Sequence, residues 1–226
     1  MTSLLGRETP KETLDEIVDR RKKFLEAYQN GNYARRYTDL VDHVRRVEGD
    51  RLPGSEAATT AVPKSLFKLM AYKDEYEVAR LHMETGFLDR LRQEFEGDFT
   101  VMYHLAPPIL SAGKDSRGRP LKRQFGQWIE PAFRVLARFR FLRGTAFDVF
   151  GYAKERRMER GLIDWYETLV AELLPDLDGN TAEASARIGG LPMEIRAYGP
   201  VKEAAVENVK ARIADVKHSS NCRMMR

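Results

Sequence analysis

Apolar residues recur three or four positions apart along most of this chain, and turn-forming residues interrupt that spacing at several points. This periodicity is typical of amphipathic helices that bury one side against each other. The first stretch, Thr9–Tyr28, opens with a capping-box pattern at Thr9–Glu12 and ends before the turn signal Asn30-Gly31-Asn32. A second stretch of the same spacing follows it, so the two are expected to pack as an antiparallel hairpin.

Further helices are predicted after a break at Gly49–Ser55, where Pro53-Gly54 interrupts the pattern. One continuous helix is expected from about Thr60 through Met83, with Pro63 in its first turn, where proline is tolerated. The remaining predicted helices are Phe87–Phe95, Trp128–Phe141, Tyr152–Leu174, Thr181–Ile188 and a last one from Pro200 through Ile213. Between the last two, Pro192–Tyr198 is expected to form a short strand or an extended segment.

Two short runs have the alternating pattern of β-strands instead. Phe99–Leu105 and Leu121–Phe125 alternate in period two, and a glycine-containing loop separates them. We interpret them as one hairpin with a long loop. The predicted fold class is therefore mainly α, with roughly eight helices and one small antiparallel β-hairpin.

The breaks also suggest a division of the chain into parts. We expect an N-terminal helical hairpin over residues 1–50, a helical domain over 56–218 with its β-hairpin at about 99–126, and a disordered tail over 219–226. The one cysteine, Cys222, lies in that tail and has no partner for an intrachain disulfide, which fits a reducing compartment. No apolar run reaches the roughly 20 residues that span a bilayer, and no secretory leader is recognisable. These observations predict a cytoplasmic protein without a membrane partner.

Motifs for catalysis and for metal binding are missing from the sequence. It contains no phosphate-binding P-loop, no dinucleotide-binding glycine motif and no nucleophile elbow, and its four histidines lack zinc-ligand spacing. His104 is the most suggestive of the four because it ends a predicted strand, but nothing nearby completes an acid–base dyad. We favour a structural role for it. The sequence therefore predicts no catalytic residue and no metal ligand.

Charge offers the more informative pattern. The chain has 38 Lys and Arg against 34 Asp and Glu, a modest net charge of +4. The stretch from Arg117 to Arg143 is the most lopsided, and its hairpin residues Arg119, Lys122 and Arg123, followed by Trp128, are candidates for binding an acidic ligand. Arg156 and Arg157 are further candidates, since cations at a helix N-terminus oppose the helix dipole.

Two other interpretations of these basic residues stay open. They can form structural ion pairs on a solvated surface, which is the commoner role of a charge run. Alternatively, basic residues interleaved with aromatic ones can form a platform for single-stranded nucleic acid in a stand-alone module. The scattered acids and the small net charge argue against nucleic acid.

Five segments, taken in order along the chain, resemble one known family. They are Ser65–Leu81, Phe95–Leu110, Gly118–Trp128, Phe133–Arg160 and Leu191–Lys202. Together they resemble the C-terminal domain of the long, fused indolepyruvate ferredoxin oxidoreductases. The similarity runs from about Thr13 to Val216, nearly the whole chain.

The resemblance implies a functional context. That family is similar to other 2-oxoacid:ferredoxin oxidoreductases. It decarboxylates arylpyruvates to acyl-CoA with thiamine diphosphate and coenzyme A, and it passes the electrons through iron–sulfur clusters to ferredoxin. The family's thiamine-binding G-D-G…N signature has no match here, because Gly97-Asp98 is followed by Phe99. A single cysteine also cannot supply the four thiolates of a cluster. We therefore expect a non-catalytic domain or split fragment that binds none of these cofactors, with the catalytic domains and ferredoxin as candidate partners.

Overall fold

A computed structural model describes residues 12–95, 97, 100–105, 113 and 121–224, except for the side chains of 87, 92 and 220–224. Nine α-helices and two strands lie within these residues. In chain order they are α1 (Leu14–Tyr28), α2 (Gly31–Arg51), α3 (Ala57–Met70), α4 (Glu75–Met83), α5 (Phe87–Glu94), β1 (Tyr103–Leu105), β2 (Arg123–Phe125), α6 (Glu130–Arg138), α7 (Lys154–Leu173), α8 (Ala182–Gly190) and α9 (Gly199–Met224). The structure is 73% helix with one two-stranded antiparallel sheet, which confirms the predicted fold class.

Helix α1 begins later than the sequence pattern suggested. Its cap is Thr13, which accepts a hydrogen bond from the Glu16 amide while the Glu16 side chain accepts one from the Thr13 amide. This is a capping box one turn beyond the predicted one at Thr9, a residue outside those described. The sequence carries two consecutive capping-box patterns, Thr9–Glu12 and Thr13–Glu16, and α1 begins at the second.

The helix predicted to run from Thr60 through Met83 is two helices. Asp74 accepts a hydrogen bond from the Glu77 amide and caps α4, so the chain turns between α3 and α4. The hydroxyl groups of Tyr28 and Tyr33 satisfy the carbonyl groups of Tyr72 and Met70 at this turn. These contacts come from distant helices, which a local pattern does not show.

Three other segments also differ from expectation. Helix α3 begins at Ala57, so Pro63 lies inside the helix instead of in its first turn. Residues Leu191–Glu194 form a 3-10 turn where a strand or extended segment was predicted. Helix α9 continues to Met224, through most of the segment predicted to be a disordered tail.

The main core collects buried side chains from α1, α2, α3, α7, α8 and α9. A smaller cluster joins α4 to the sheet and α6, with Tyr103, Phe125 and Phe133 at its centre. In the sheet, Tyr103 lies opposite Phe125 and His104 opposite Gln124. No helix in the described ranges has both the length and the apolar character to cross a membrane.

Candidate functional site

The five basic residues selected from the sequence do not form one site in the described structure. Arg119 lies outside the described residues. Lys122 and Arg123 are exposed at the start of β2, and neither makes an ion pair with another described residue. Arg157 is exposed on α7.

Arg156 has a structural role instead. Its guanidinium group contacts Glu75 at 3.3 Å and Glu159 at 2.7 Å, and its side chain is only 14% exposed. Burial disfavours its charge, but these two carboxylates outweigh burial and raise the pKa of Arg156 above the ordinary value. Of the two roles considered for this residue, the structure shows the internal ion pair.

His104 is exposed on β1. Its cross-strand partner is Gln124, which is not a carboxylate. Among the described residues nothing pairs it with an acid, and no group of three or more His, Cys, Asp or Glu side chains is placed to hold a metal ion.

A different feature of the surface is more distinctive. Thirteen large hydrophobic side chains are exposed in the described ranges, and seven of them fall between residues 128 and 152. These seven are Trp128, Val135, Phe139, Phe141, Phe147, Val149 and Tyr152. Soluble monomers rarely gather so many exposed apolar side chains in one short stretch unless the surface has a function. The stretch divides into α6 with the 3-10 turns at its two ends, and the loop that follows them and leads to α7.

That loop, Arg143–Ala153, is called the aromatic loop below. Phe147, Val149 and Tyr152 point outward and are 76%, 67% and 65% exposed. Its charged residues point inward, since Arg143 and Asp148 are each 3% exposed. This is the reverse of the usual distribution, in which charged groups face water and apolar groups are buried.

Arg143 ties the aromatic loop to α1 and α4. Its guanidinium group pairs with the Asp74 carboxylate through Nε at 2.5 Å and Nη2 at 2.8 Å. It also donates to the Tyr28 carbonyl and lies 3.7 Å from the centre of the Tyr28 ring. In return, the Gln29 side chain donates to the Arg143 carbonyl at 3.2 Å. A buried arginine with all these partners fixes the start of the loop.

Asp148 organises the rest of the aromatic loop. One carboxylate oxygen accepts from the Gly151 amide at 3.0 Å and from the Tyr76 hydroxyl at 3.3 Å, while the other accepts from the Gly144 amide at 2.8 Å. Arg160 lies 3.7 Å from this carboxylate and also donates to the Gly151 carbonyl at 2.6 Å. Burial and the neighbouring Asp148 charge raise the pKa of Tyr76, so its hydroxyl stays protonated as a donor.

Two glycines let the chain follow this path. Gly144 has φ +77°, a conformation that side chains rarely allow. At Gly151, an added Cβ would lie 2.3 Å from an Asp148 carboxylate oxygen. The loop is therefore built around Asp148 and holds its outer apolar residues in place before any contact with another molecule.

The sequence pattern predicts no element between the helices expected to end at Phe141 and to begin at Tyr152, and this loop was not predicted. A local signal was present, because Phe147 and Val149 are apolar residues in that connecting segment. What the sequence could not show is that Asp148 and Arg143 are buried, since their partners Tyr76, Asp74 and Tyr28 lie far away in the chain.

The fold and this surface define a mainly helical protein that presents apolar and basic side chains to its surroundings. The chain belongs to the family described as "Family of unknown function (DUF6537)", which matches residues 14–215. No curated protein and no solved structure matches it.

Proposed function

We propose that this chain is a non-catalytic docking domain of an indolepyruvate ferredoxin oxidoreductase, either as its C-terminal part or as a split fragment. The aromatic loop is the surface that contacts the catalytic domains. The single observation that carries this proposal is the loop's inverted arrangement, with buried ion pairs inside and Phe147, Val149 and Tyr152 outside. The sequence resemblance over most of the chain supports the choice of partner.

Interface energetics favour a protein partner for such a loop. Aromatic residues and arginine are enriched at protein interfaces, and a few of them carry most of the binding energy. Their contribution is largest when they are held in the bound conformation beforehand, because less conformational entropy is then lost on binding. The contacts of Asp148 and Arg143 hold the aromatic loop in one conformation in this way.

The chemistry of the reaction belongs to the partner in this proposal. Thiamine diphosphate, coenzyme A and the iron–sulfur clusters are bound by the catalytic domains, because this sequence has neither the thiamine signature nor enough cysteines for a cluster. Lys122 and Arg123 remain exposed cations that suit an acidic ligand such as ferredoxin or coenzyme A.

Binding of nucleic acid is the weaker alternative. Two basic residues of the stretch from Arg117 to Arg143 are engaged internally, since Arg140 pairs with Glu84 and Arg143 with Asp74. Non-specific nucleic-acid binding depends on many free cations. The small net charge of +4 and the scattered acids argue against it.

The proposal is tested by co-purification with the catalytic domains. The whole chain is tagged and co-expressed with the catalytic domains of an indolepyruvate ferredoxin oxidoreductase. We expect a stable complex, and a Phe147→Ala/Val149→Ala variant should bind about tenfold or more weakly, because interface aromatics each contribute on the order of 1–2 kcal/mol.

A matched control is available on another surface. Tyr198 and Val201 are each 66% exposed, close to the exposure of Val149, so Tyr198→Ala/Val201→Ala removes a similar apolar area elsewhere. That variant should bind like wild type. The proposal is wrong if the wild-type chain emerges without the catalytic domains, or if the two double variants weaken binding equally.

A further inference from the structure

Helix α6 and the 3-10 turns at its two ends carry a second apolar surface, which we call the α6 stripe. It consists of Trp128, Val135 and Phe139, which are 72%, 56% and 45% exposed. These residues are spaced seven and four positions apart, so the helical period places them on one side of the segment. The small residues Pro131 and Ala132 lie between them and are also exposed. The opposite side, with Phe133 and Ala137, is buried in the smaller core cluster.

Two arginines, Arg134 and Arg138, lie beside this stripe and are one helical turn apart. The Arg134 side chain is 67% exposed, and its nearest carboxylate, Glu130, is 3.9 Å away. Arg138 is exposed and makes no ion pair with any residue that the structure describes. Glu130 is largely turned inward, with 12% of its side chain exposed and a hydrogen bond from Tyr103 at 3.1 Å. From Gln127 to Leu142, a stretch described throughout, no exposed residue is acidic.

The geometry points to an acidic amphipathic helix of a partner protein lying along the α6 stripe, with apolar residues on the stripe and carboxylates opposite Arg134 and Arg138. This inference rests on the proposed docking function and names the chemistry of the partner's surface. Oppositely charged residues beside an apolar seam set both the orientation and the choice of partner in helix pairs.

A helix fits this surface better than a strand does. Helix α6 already uses its own backbone hydrogen-bonding groups, so it offers no free edge for strand addition. What it offers is a row of exposed side chains along a helix of nine residues, about 14 Å long at 1.5 Å per residue, against which another helix can pack.

A second copy of this chain fits poorly. A twofold contact uses the same surface patch of both copies. Arg134 and Arg138 would then meet a patch that is itself basic, because no residue from Gln127 to Leu142 is both exposed and acidic. Like charges placed together across an interface cost several kcal/mol.

The test places a photo-crosslinking amino acid at Val135 of the whole chain, in complex with the catalytic domains. Mass spectrometry then identifies the residues that become attached. We expect attachment to a helix of the catalytic domains that carries Asp or Glu beside an apolar stripe. The same group at Val201 should not attach there. Attachment to a non-acidic surface, to a second copy of this chain or to lipid would overturn the inference.

A charge-reversal series gives a second readout. Arg134→Glu/Arg138→Glu should weaken the complex at least tenfold at low salt and much less at high salt, because salt screens exposed charges. Arg46→Glu/Arg51→Glu, at two exposed positions of α2, changes the net charge equally and should leave the affinity within about twofold. Equal losses in both variants would show a general charge effect and contradict the inference.

The two proposals fail in different ways. If binding depends on Phe147 and Val149 but not on Arg134 and Arg138, the docking function stands and the acidic helix is wrong. If the wild-type chain does not bind the catalytic domains at all, both are wrong.

Discussion

Asp148 shows how much of this surface depends on single buried residues. Its carboxylate joins the two ends of a tight turn through the Gly144 and Gly151 amides and holds a tyrosine from α4 as well. A buried carboxylate is stable only when its hydrogen-bonding capacity is satisfied. The outward position of Phe147 and Val149 is thus a consequence of contacts made on the opposite side of the loop.

Gly151→Ala is expected to lower the free energy of unfolding by about 2–3 kcal/mol, because overpacking a rigid site forces the surrounding atoms to move. The new Cβ would lie 2.3 Å from an Asp148 oxygen and 2.9 Å from an Arg160 nitrogen. Urea unfolding measures the change.

Gly161 provides the control for this substitution. It lies within α7, and an added Cβ would meet nothing within 4 Å. Gly161→Ala should raise stability by about 0.5–1 kcal/mol, because alanine is the better helix former. A Gly151→Ala protein as stable as wild type would show that the aromatic loop is not built around Asp148.

Arg156 and Arg157 of α7 show which property of a single residue the sequence does not reveal. The cationic character of Arg156 was visible in the sequence, but its neutralisation by Glu75 was not, because the two residues lie 81 positions apart. Adjacent Arg157 has the same charge and is exposed. Residue type and spacing identify which side chains are charged, and only the fold determines which of them remain available to a partner.

At the scale of elements, Glu48 of α2 explains why α3 begins at Ala57 and not at Thr60, where the sequence pattern predicts its start. Glu56 at the N-cap position of α3 forms no side-chain capping bond. Glu48 takes over that role from the neighbouring helix, accepting from the Ala58 amide at 3.1 Å and from the Thr59 amide at 2.7 Å. The first-turn amides of α3 are thereby satisfied, and a negative charge lies at the positive end of its dipole.

Glu48 makes the joint between α2 and α3 sensitive to acid. Burial acts to raise its pKa, but hydrogen bonds from Ser55, Thr59 and Ala58 outweigh burial, so the pKa is lowered from 4.5. A carboxyl group whose pKa is lower in the folded state stabilises the protein above its unfolded pKa, and this contribution is lost as the pH falls through the folded value.

Glu48→Gln is accordingly expected to cost about 1–2 kcal/mol at neutral pH. The difference from wild type should begin to shrink as the pH falls below about 4.5, and it should vanish below the lower pKa of the folded state, where the wild-type group is also neutral. Urea unfolding over a pH series measures it. Glu56→Gln should change stability by less than about 0.5 kcal/mol throughout. A Glu48→Gln effect that is independent of pH would contradict the assignment.

The sequence pattern predicts most of the helices correctly, but it does not predict the residues at which they begin and end. Apolar periodicity located both helices of the N-terminal hairpin and the long α7, because those stripes face one core. It failed between Ala71 and Asp74, where no glycine or proline interrupts the pattern. The break is stabilised instead by Asp74, which caps α4 and also pairs with Arg143 from another part of the chain.

At the scale of the whole molecule, a row of alternating charges connects α4, α7 and α9. Glu75 and Glu159 both contact Arg156, and Glu159 also accepts from Lys202 at 2.5 Å. Glu159 is 2% exposed. Buried ion pairs add little net stability compared with apolar side chains of similar volume. Removing one partner is costly, however, because it leaves the other charge buried without compensation.

Arg156→Gln should therefore lower the free energy of unfolding by about 2–3 kcal/mol, because it removes the cation shared by half-buried Glu75 and buried Glu159. Arg157→Gln is the adjacent control and should change stability by less than about 0.5 kcal/mol, because Arg157 is exposed. Thermal and urea unfolding of both variants measure the difference. Equal effects would mean that the charge row does not hold these helices together.

The internal fixing of the aromatic loop has a kinetic consequence. A surface that already has its bound shape needs no rearrangement during an encounter, so association is governed by diffusion, orientation and long-range attraction. In the proposed complex, the lifetime would then be set by how quickly Phe147 and Val149 leave the partner's surface. Substitutions of Phe147 or Val149 should therefore raise the dissociation rate. Removing the contacts of Asp148 should instead lower the association rate, because fewer molecules would then have the conformation that binds.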